Sequence, residues 1–330
     1  MPARDPEVVA AIPNLVEQGV VADGLAARIL AVAGGERASA RAELRWGMGL
    51  GVTLATAGLG LGVKENLDAL GPWGVALLLA LGAAACFAFV LRRAPGFTWG
   101  RSIGGDWVDD GLILLGLGFA GALLLWIEVR LAALGDAWPW HLLLISGLAA
   151  AAALRFDSRV AWSLALSSFA AWRGVALATV AGRLLLAGSG ATLRANALGV
   201  AVLFAALGAA LWRFDRKAHF EPATTLLAAA LALGALFAGM IADGDASLGW
   251  AVALALVGAG VVAIGLRLRR FGLFALAVLA LYAAITRLAY AVLGETLFAA
   301  LGCLWILGSA VGIVVLLVWV QRRFRRESAS

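Results

Sequence analysis

Ionisable side chains are scarce in this chain: Asp, Glu, Lys and Arg make up 14% of its 330 residues. It has only two cysteines and two histidines. Each shortage removes a class of explanation. Cys86 and Cys303 both fall inside long apolar runs, so neither a disulfide framework nor a cysteine zinc site is open to the chain. The apolar runs between His141 and His219 place them on opposite sides of a membrane, where they cannot share a metal. No Asp, Glu, Lys or His occupies the central third of any apolar run. Proton- and ion-coupled machines keep such a residue at depth, which argues against a proton antiporter or a pump. Soluble mass is missing too. Beyond the first 45 residues, the longest polar connections are roughly 20 residues, at Arg92 to Asp110 and Gly174 to Arg194. Neither builds a catalytic domain, so any chemistry belongs at the membrane surface or between helices.

What the chain has in abundance is apolar length. It is 63% hydrophobic, with a mean hydropathy of +0.96, too apolar for a soluble domain of this size. About ten stretches can cross a ~30 Å hydrocarbon layer as helices. They are Trp46 to Val63, Pro72 to Leu91, Gly111 to Ile127, Pro139 to Leu154 and Ser158 to Leu177. The others are Ala195 to Leu211, Ala223 to Ile241, Leu248 to Leu266, Phe271 to Tyr290 and Leu297 to Val320. The predicted fold is an all-α polytopic bundle over residues 46–330, preceded by a small helical module over residues 1–45.

Charge orients it. With alternating spans, 20 of the 26 Lys and Arg residues share one side, which should be the cytoplasm. Both termini fall on that side. Lys64, Arg130, Arg173, Arg183, Arg194 and Arg287 lie on the other. Nine of the 13 tryptophans sit near a predicted span end, where an amphipathic ring is stable at headgroup level. Trp305 lies well inside the last span and reads as a packing residue. The net charge of +6 comes from loops that meet anionic headgroups, so it points to membrane lipids and away from nucleic acid. Arginine outnumbers lysine 24 to two, a bias expected of a GC-rich bacterial genome. The expected location is the bacterial inner membrane. The first 45 residues are mixed in charge and helical, unlike a signal peptide.

The N-terminal module reads as two short helices, around Pro13 to Gln18 and from Leu25 to Ala33. Gly19 stops the first, Asp23 caps the second, and Gly34-Gly35 ends it. Leu15, Val20, Leu25, Ile29 and Leu30 supply a small apolar contact, too small to be stable alone. The pattern Leu15-x-x-x-Gly19-Val20-Val21, then Ala26-x-x-Ile29, resembles the start of the bacterial membrane proteins grouped as DUF2157. The C-terminal run of basic loop, Tyr282, Arg287 and a long last span ending in Arg322-Arg323 is similar as well. The resemblance implies a helical module followed by a multi-span bundle. The family's function is unknown, so it implies no mechanism.

Gly135-Asp136-Ala137 before Trp140 is echoed by Gly244-Asp245-Ala246 before Trp250. Trp172-Arg173 and Thr286-Arg287 mark the helices that follow. Residues 111–177 and 223–290 therefore read as a possible parallel repeat of the kind found in transporters.

Candidate functional residues are few. Arg173 and Arg287 lie roughly a turn inside the outer surface, placed to hold an anionic headgroup or to snorkel. Glu128, Asp136, His141, Asp243, Asp245 and Glu295 gather on the same face. They read as a cation-attracting vestibule, as partners of the arginines or as solvated loop ends, and His141 also reads as an interface anchor. Arg173, Arg287, Glu128 and His141 are the candidate substrate- or lipid-binding set. On the inner face, Asp106-x-x-Asp109-Asp110 is similar to the magnesium-diphosphate clusters of membrane prenyltransferases. Its only possible acidic counterparts, Asp157, Asp215 and Glu221, do not repeat the spacing. Asp109 and Asp110 also suit a helix start, and no metal or other cofactor is expected. Gly47, Gly51, Gly58 and Gly62 form two GxxxG pairs within a ~60° arc of the first span. Such a stripe admits a close helix from the bundle or from a second copy.

Three functions follow. The leading one is a non-enzymatic protein that handles a lipid or amphipathic small molecule, or scaffolds a membrane complex. The second is a ten-helix secondary transporter similar to drug/metabolite exporters. The third is an enzyme acting on lipid diphosphates. A polar cavity lined by Ser146, Ser163, Ser167, Ser168 and Thr225 favours transport; a lateral apolar groove favours the first.

Overall fold

A computed structural model of the chain describes residues 6–19, 21–33, 51, 54, 58, 67–94, 96–100, 107–131, 137–184, 189–242 and 244–327. Regular structure among the described residues is entirely helical. The chain divides into two compact units, residues 1–54 with 308–330, and residues 55–307.

In the first unit, α1 (Pro6–Glu17) packs on α2 (Asp23–Ala33). α1 starts well before the expected Pro13. Pro6 opens it, since a first-turn residue needs no N–H partner, and Pro13 is carried inside the helix. Gly19, with φ 70°, ends it as expected, because glycine enters the left-handed region without a Cβ penalty. Ile12 on α1 and Ala26 on α2 are buried. Leu25, expected within the apolar contact, is exposed. Asp23 is the first residue of α2, and Gly34-Gly35 lies outside the described residues.

In the second unit the chain runs through α3 (Leu67–Arg93) and α4 (Trp107–Trp126), which continues as a π-helical turn over Ile127–Leu131. It goes on through α5 (Trp140–Phe156), α6 (Arg159–Leu184) and α7 (Ser189–Phe214). Short 3₁₀ turns lead into α8 (Glu221–Ala242) and α9 (Ser247–Arg267). α10 (Phe271–Glu327) supplies residues to both units.

Among the described residues, six stretches are long and apolar enough to cross a membrane: Gly71–Arg93, Val108–Leu131, Gly190–Phe214, Ala218–Ala242, Ser247–Arg267 and Phe271–Gly294. The chain is an all-α membrane protein. α5 is apolar too but only 17 residues long. Of the expected first span, Trp46 to Val63, the structure describes only Gly51, Leu54 and Gly58. The expected last span lies in α10 beyond a break at Gly294, where φ is 74°. Trp305 Nε1 donates to Thr286 Oγ1 at 3.2 Å. In one straight helix those residues would stand about 28 Å apart, so the chain reverses at Gly294. Trp305, read as a packing residue, is partly exposed and spends its N–H on that bond.

The stretch Gly174 to Arg194 departs from expectation. α6 continues to Leu184 and α7 begins at Ser189, so Arg173, Arg183 and Arg194 are all helical. Arg194 is buried, its guanidinium 5.5 Å from the centre of the Trp250 ring. Arginine depresses local hydropathy, so helix ends that carry it look like loop in sequence.

Packing follows chain order, and α6 touches α4, α5, α7 and α8. Ile113, Leu117, Ala149, Ala153, Ala161, Trp162 and Phe204 form one buried cluster; Leu233, Leu236, Leu254, Ala277 and Ala284 form another. Alanines at the contacts let helix backbones approach closely. Gly239 goes further, since a β-carbon there would fall 2.5 Å from the Trp250 ring. Leu81, Val202 and Leu256 are 60–70% exposed. Surface of this kind belongs against hydrocarbon.

Candidate functional site

A cavity lies between α7, α8, α9 and the start of α10. Its volume is about 740 Å³, within the range of small-molecule sites. Leu198, Ala201, Val202, Ala205, Gly208 and Ala209 form the α7 wall. Ala228, Ala229, Ala232 and Leu236 form the α8 wall, and Val257, Val261 and Ile264 the α9 wall. Small residues on α7 and α8 create the space. At Gly208 a β-carbon would come within 2.8 Å of the Thr225 methyl, so glycine there lets α7 and α8 close behind the groove.

One end of the groove is charged. Glu221, Thr225, Arg267 and Arg270 line it, with Trp212 beside them. Glu221 opens α8, where a carboxylate is favoured by the helix dipole. Both its oxygens accept from Arg270, one at 2.5 Å and one closer. Such a fork fixes geometry as well as charge. Arg270 also donates to Thr225 Oγ1 at 3.1 Å. Arg267 ends α9. It is exposed and has no hydrogen bond or ion pair among the described residues.

Behind this end sits a buried ionic cluster. Lys217 is 2% exposed and donates to Asp157 Oδ1. His219 Nε2 lies 3.4 Å from the same oxygen. The Lys217 amide donates to the Trp99 carbonyl at 2.9 Å, and its ammonium stands 5.0 Å from the Phe97 ring centre. Asp157 and Lys217 both have left-handed backbones, with φ 56° and 51°. Asp157 is the C-cap of α5 and Lys217 the N-cap of the 3₁₀ turn before α8, so the pair ties the α5–α6 turn to the α7–α8 turn. Trp162 stacks on Phe220 at 4.9 Å and donates to Thr224 Oγ1 at 2.8 Å. Sequence reading missed Lys217 and Arg270 as site residues; the only signal was one of two lysines standing between apolar runs.

Glu128 and His141 come together at the far end of the bundle. His141 Nε2 stands 3.2 Å from Glu128 Oε2, both side chains mostly buried. Glu128 belongs to the π-helical turn, a distortion frequent at functional positions. His219 touches Asp157, the C-cap of α5, whereas His141 is that helix's second residue. The two histidines therefore sit about 24 Å apart along α5.

Arg173 donates to Asn196 Oδ1 at 2.7 Å beside a hollow of about 450 Å³ lined by Phe169, Trp172 and Leu203. Arg287 donates to Ser247 Oγ at 2.6 Å. They stand about 21 Å and 24 Å along their helices from the charged end. Their contacts are separate, and each partner is neutral. Trp140, next to His141, meets the Trp172 ring at 5.7 Å, which joins the Glu128–His141 pair to the Arg173 neighbourhood.

A cavity lined by Ser146, Ser163, Ser167, Ser168 and Thr225 is the feature that would favour transport. Ser146, Ser163 and Ser167 donate to helix carbonyls, and only Thr225 of that set lines the groove. Asp109 and Asp110 fall in the first turn of α4, and Asp109 faces Arg93 at 3.9 Å. Asp106 lies outside the described residues. Asp157 and Glu221 are each held by a basic side chain. Gly47 and Gly62 are outside the described residues, whereas Gly51 and Gly58 are helical and exposed.

Comparison with protein-family models, curated proteins and solved structures finds no match.

Proposed function

We propose that this chain is a non-enzymatic bacterial inner-membrane protein that holds a lipid or amphipathic small molecule in the α7–α8–α9 groove. The observation that carries the reading is the groove itself, with apolar walls for about 740 Å³ and one charged end. An amphiphile matches that division, with its chain along the walls and its head at Glu221, Thr225, Arg267 and Arg270. The threading keeps about ten spans, with both termini and the groove's charged end on the cytoplasmic side, because that side collects most of the arginine. Relationship to DUF2157-type proteins remains part of the proposal, on the residues that carry the resemblance.

The outer-face residues take a supporting role. Arg173 and Arg287 have neutral partners, so anionic headgroups of the outer leaflet balance their charge. Glu128 and His141 hold the α4–α5 passage beside them. A scaffold for a membrane complex is the variant in which the Gly47, Gly51, Gly58 and Gly62 stripe receives a second helix.

The test is native mass spectrometry of the full chain released from mild detergent. Wild type should retain a lipid-sized adduct, and Ala205→Trp, which fills the groove, should lose it. Equal retention by both would refute the reading. Transport of a polar solute by proteoliposomes, blocked by Ala205→Trp, would favour the transporter instead.

A further inference from the structure

We infer that the groove selects an anionic phosphodiester lipid, with Arg267 as the headgroup contact and the Glu221–Arg270 fork as a neutral frame. This rests on the groove being a lipid site. The walls supply no charge, so any headgroup preference arises at the charged end. There Glu221 and Arg270 neutralise one another through the bidentate contact, and Thr225 fixes the guanidinium plane. Arg267 is left. It lines the groove and is exposed, and no described residue pairs with it. The end therefore presents one uncompensated positive charge.

A headgroup with one net negative charge complements it. A zwitterionic headgroup brings its own cation, and the one carboxylate at this end, Glu221, is only 7% exposed and already neutralised by Arg270. Trp212, 70% exposed and lining the groove, suits the glycerol level, where indoles settle at membrane interfaces. Free phosphate lacks the chain that the walls receive, so the occupant is the lipid.

The experiment titrates the full chain in mild detergent with phosphatidylglycerol and phosphatidylethanolamine of identical acyl chains, read by native mass spectrometry. Wild type should retain phosphatidylglycerol about fivefold better, the size expected for one arginine at a membrane surface. Arg267→Gln should remove that preference, weakening phosphatidylglycerol about fivefold more than phosphatidylethanolamine. Ala205→Trp should weaken both. Equal retention by wild type, or a preference that survives Arg267→Gln, overturns the headgroup assignment while Ala205→Trp still tests the groove. Failure of Ala205→Trp to weaken either lipid overturns the groove reading. Displacement of bound lipid by millimolar glycerol phosphate overturns the lipid as the recognised species.

Discussion

Lys217 meets Asp157 across 60 residues of sequence, and the pair locks two helix-to-helix turns to each other behind the groove. Both side chains are nearly inaccessible, 2% and 7% exposed. Removing one partner leaves a buried charge. Lys217→Met should therefore cost about 3–5 kcal/mol, measured by unfolding in detergent. Asp157→Asn combined with Lys217→Met should recover part of the loss. Additive losses would mean that the two side chains do not interact.

Trp162 and Thr224 provide a milder test of the same core. Thr224→Val keeps shape and removes the acceptor of the indole N–H. The expected loss is about 1 kcal/mol, typical of a single hydrogen bond between membrane helices. No change on the same unfolding assay would place the Trp162 N–H on another acceptor.

Gly239 sets how closely α8 and α9 approach. Gly239→Leu should destabilise by about 1–3 kcal/mol through overpacking, and Trp250→Ala in the same chain should relieve it. A stable single variant would contradict the contact.

Threading is tested by fusions. A reporter active only in the cytoplasm should work after Ser330 and within the Arg213 to Glu221 stretch. Periplasmic activity at either place would invert the orientation and move the charged end of the groove to the outer leaflet.

The glycine stripe predicts assembly. Gly51→Leu with Gly58→Leu should disturb helix association and shift the particle size in detergent. Unchanged size and stability would leave the stripe facing lipid.

Much of the fold was legible because hydropathy and charge act on long windows. Six apolar stretches and the stop at Gly19 fall where the residues predict them. Arg183 and Arg194 misled the reading because a basic residue near a helix end resembles a loop residue. The site was less legible for two reasons. Ala205, Ala232 and Val261 line the groove, yet nothing in their chemistry separates them from alanines and valines that pack. Lys217 with Asp157, and Arg270 with Glu221, are joined only by the fold, and no local spacing relates them. Glu128 and His141 were placed on one face by threading. Their contact needed the π-helical turn, which carries no sequence signal of its own.

The central claim is that the groove holds a lipid that outer helix surfaces do not. Site-specific diazirine crosslinking tests it most directly, with the probe at Ala232 in the groove or at Leu256, which is 70% exposed and outside the groove's lining. After extensive detergent washing, irradiation at position 232 should yield a lipid adduct by mass spectrometry, and position 256 should yield none. Equal adducts at both positions, or none at 232, would contradict the account.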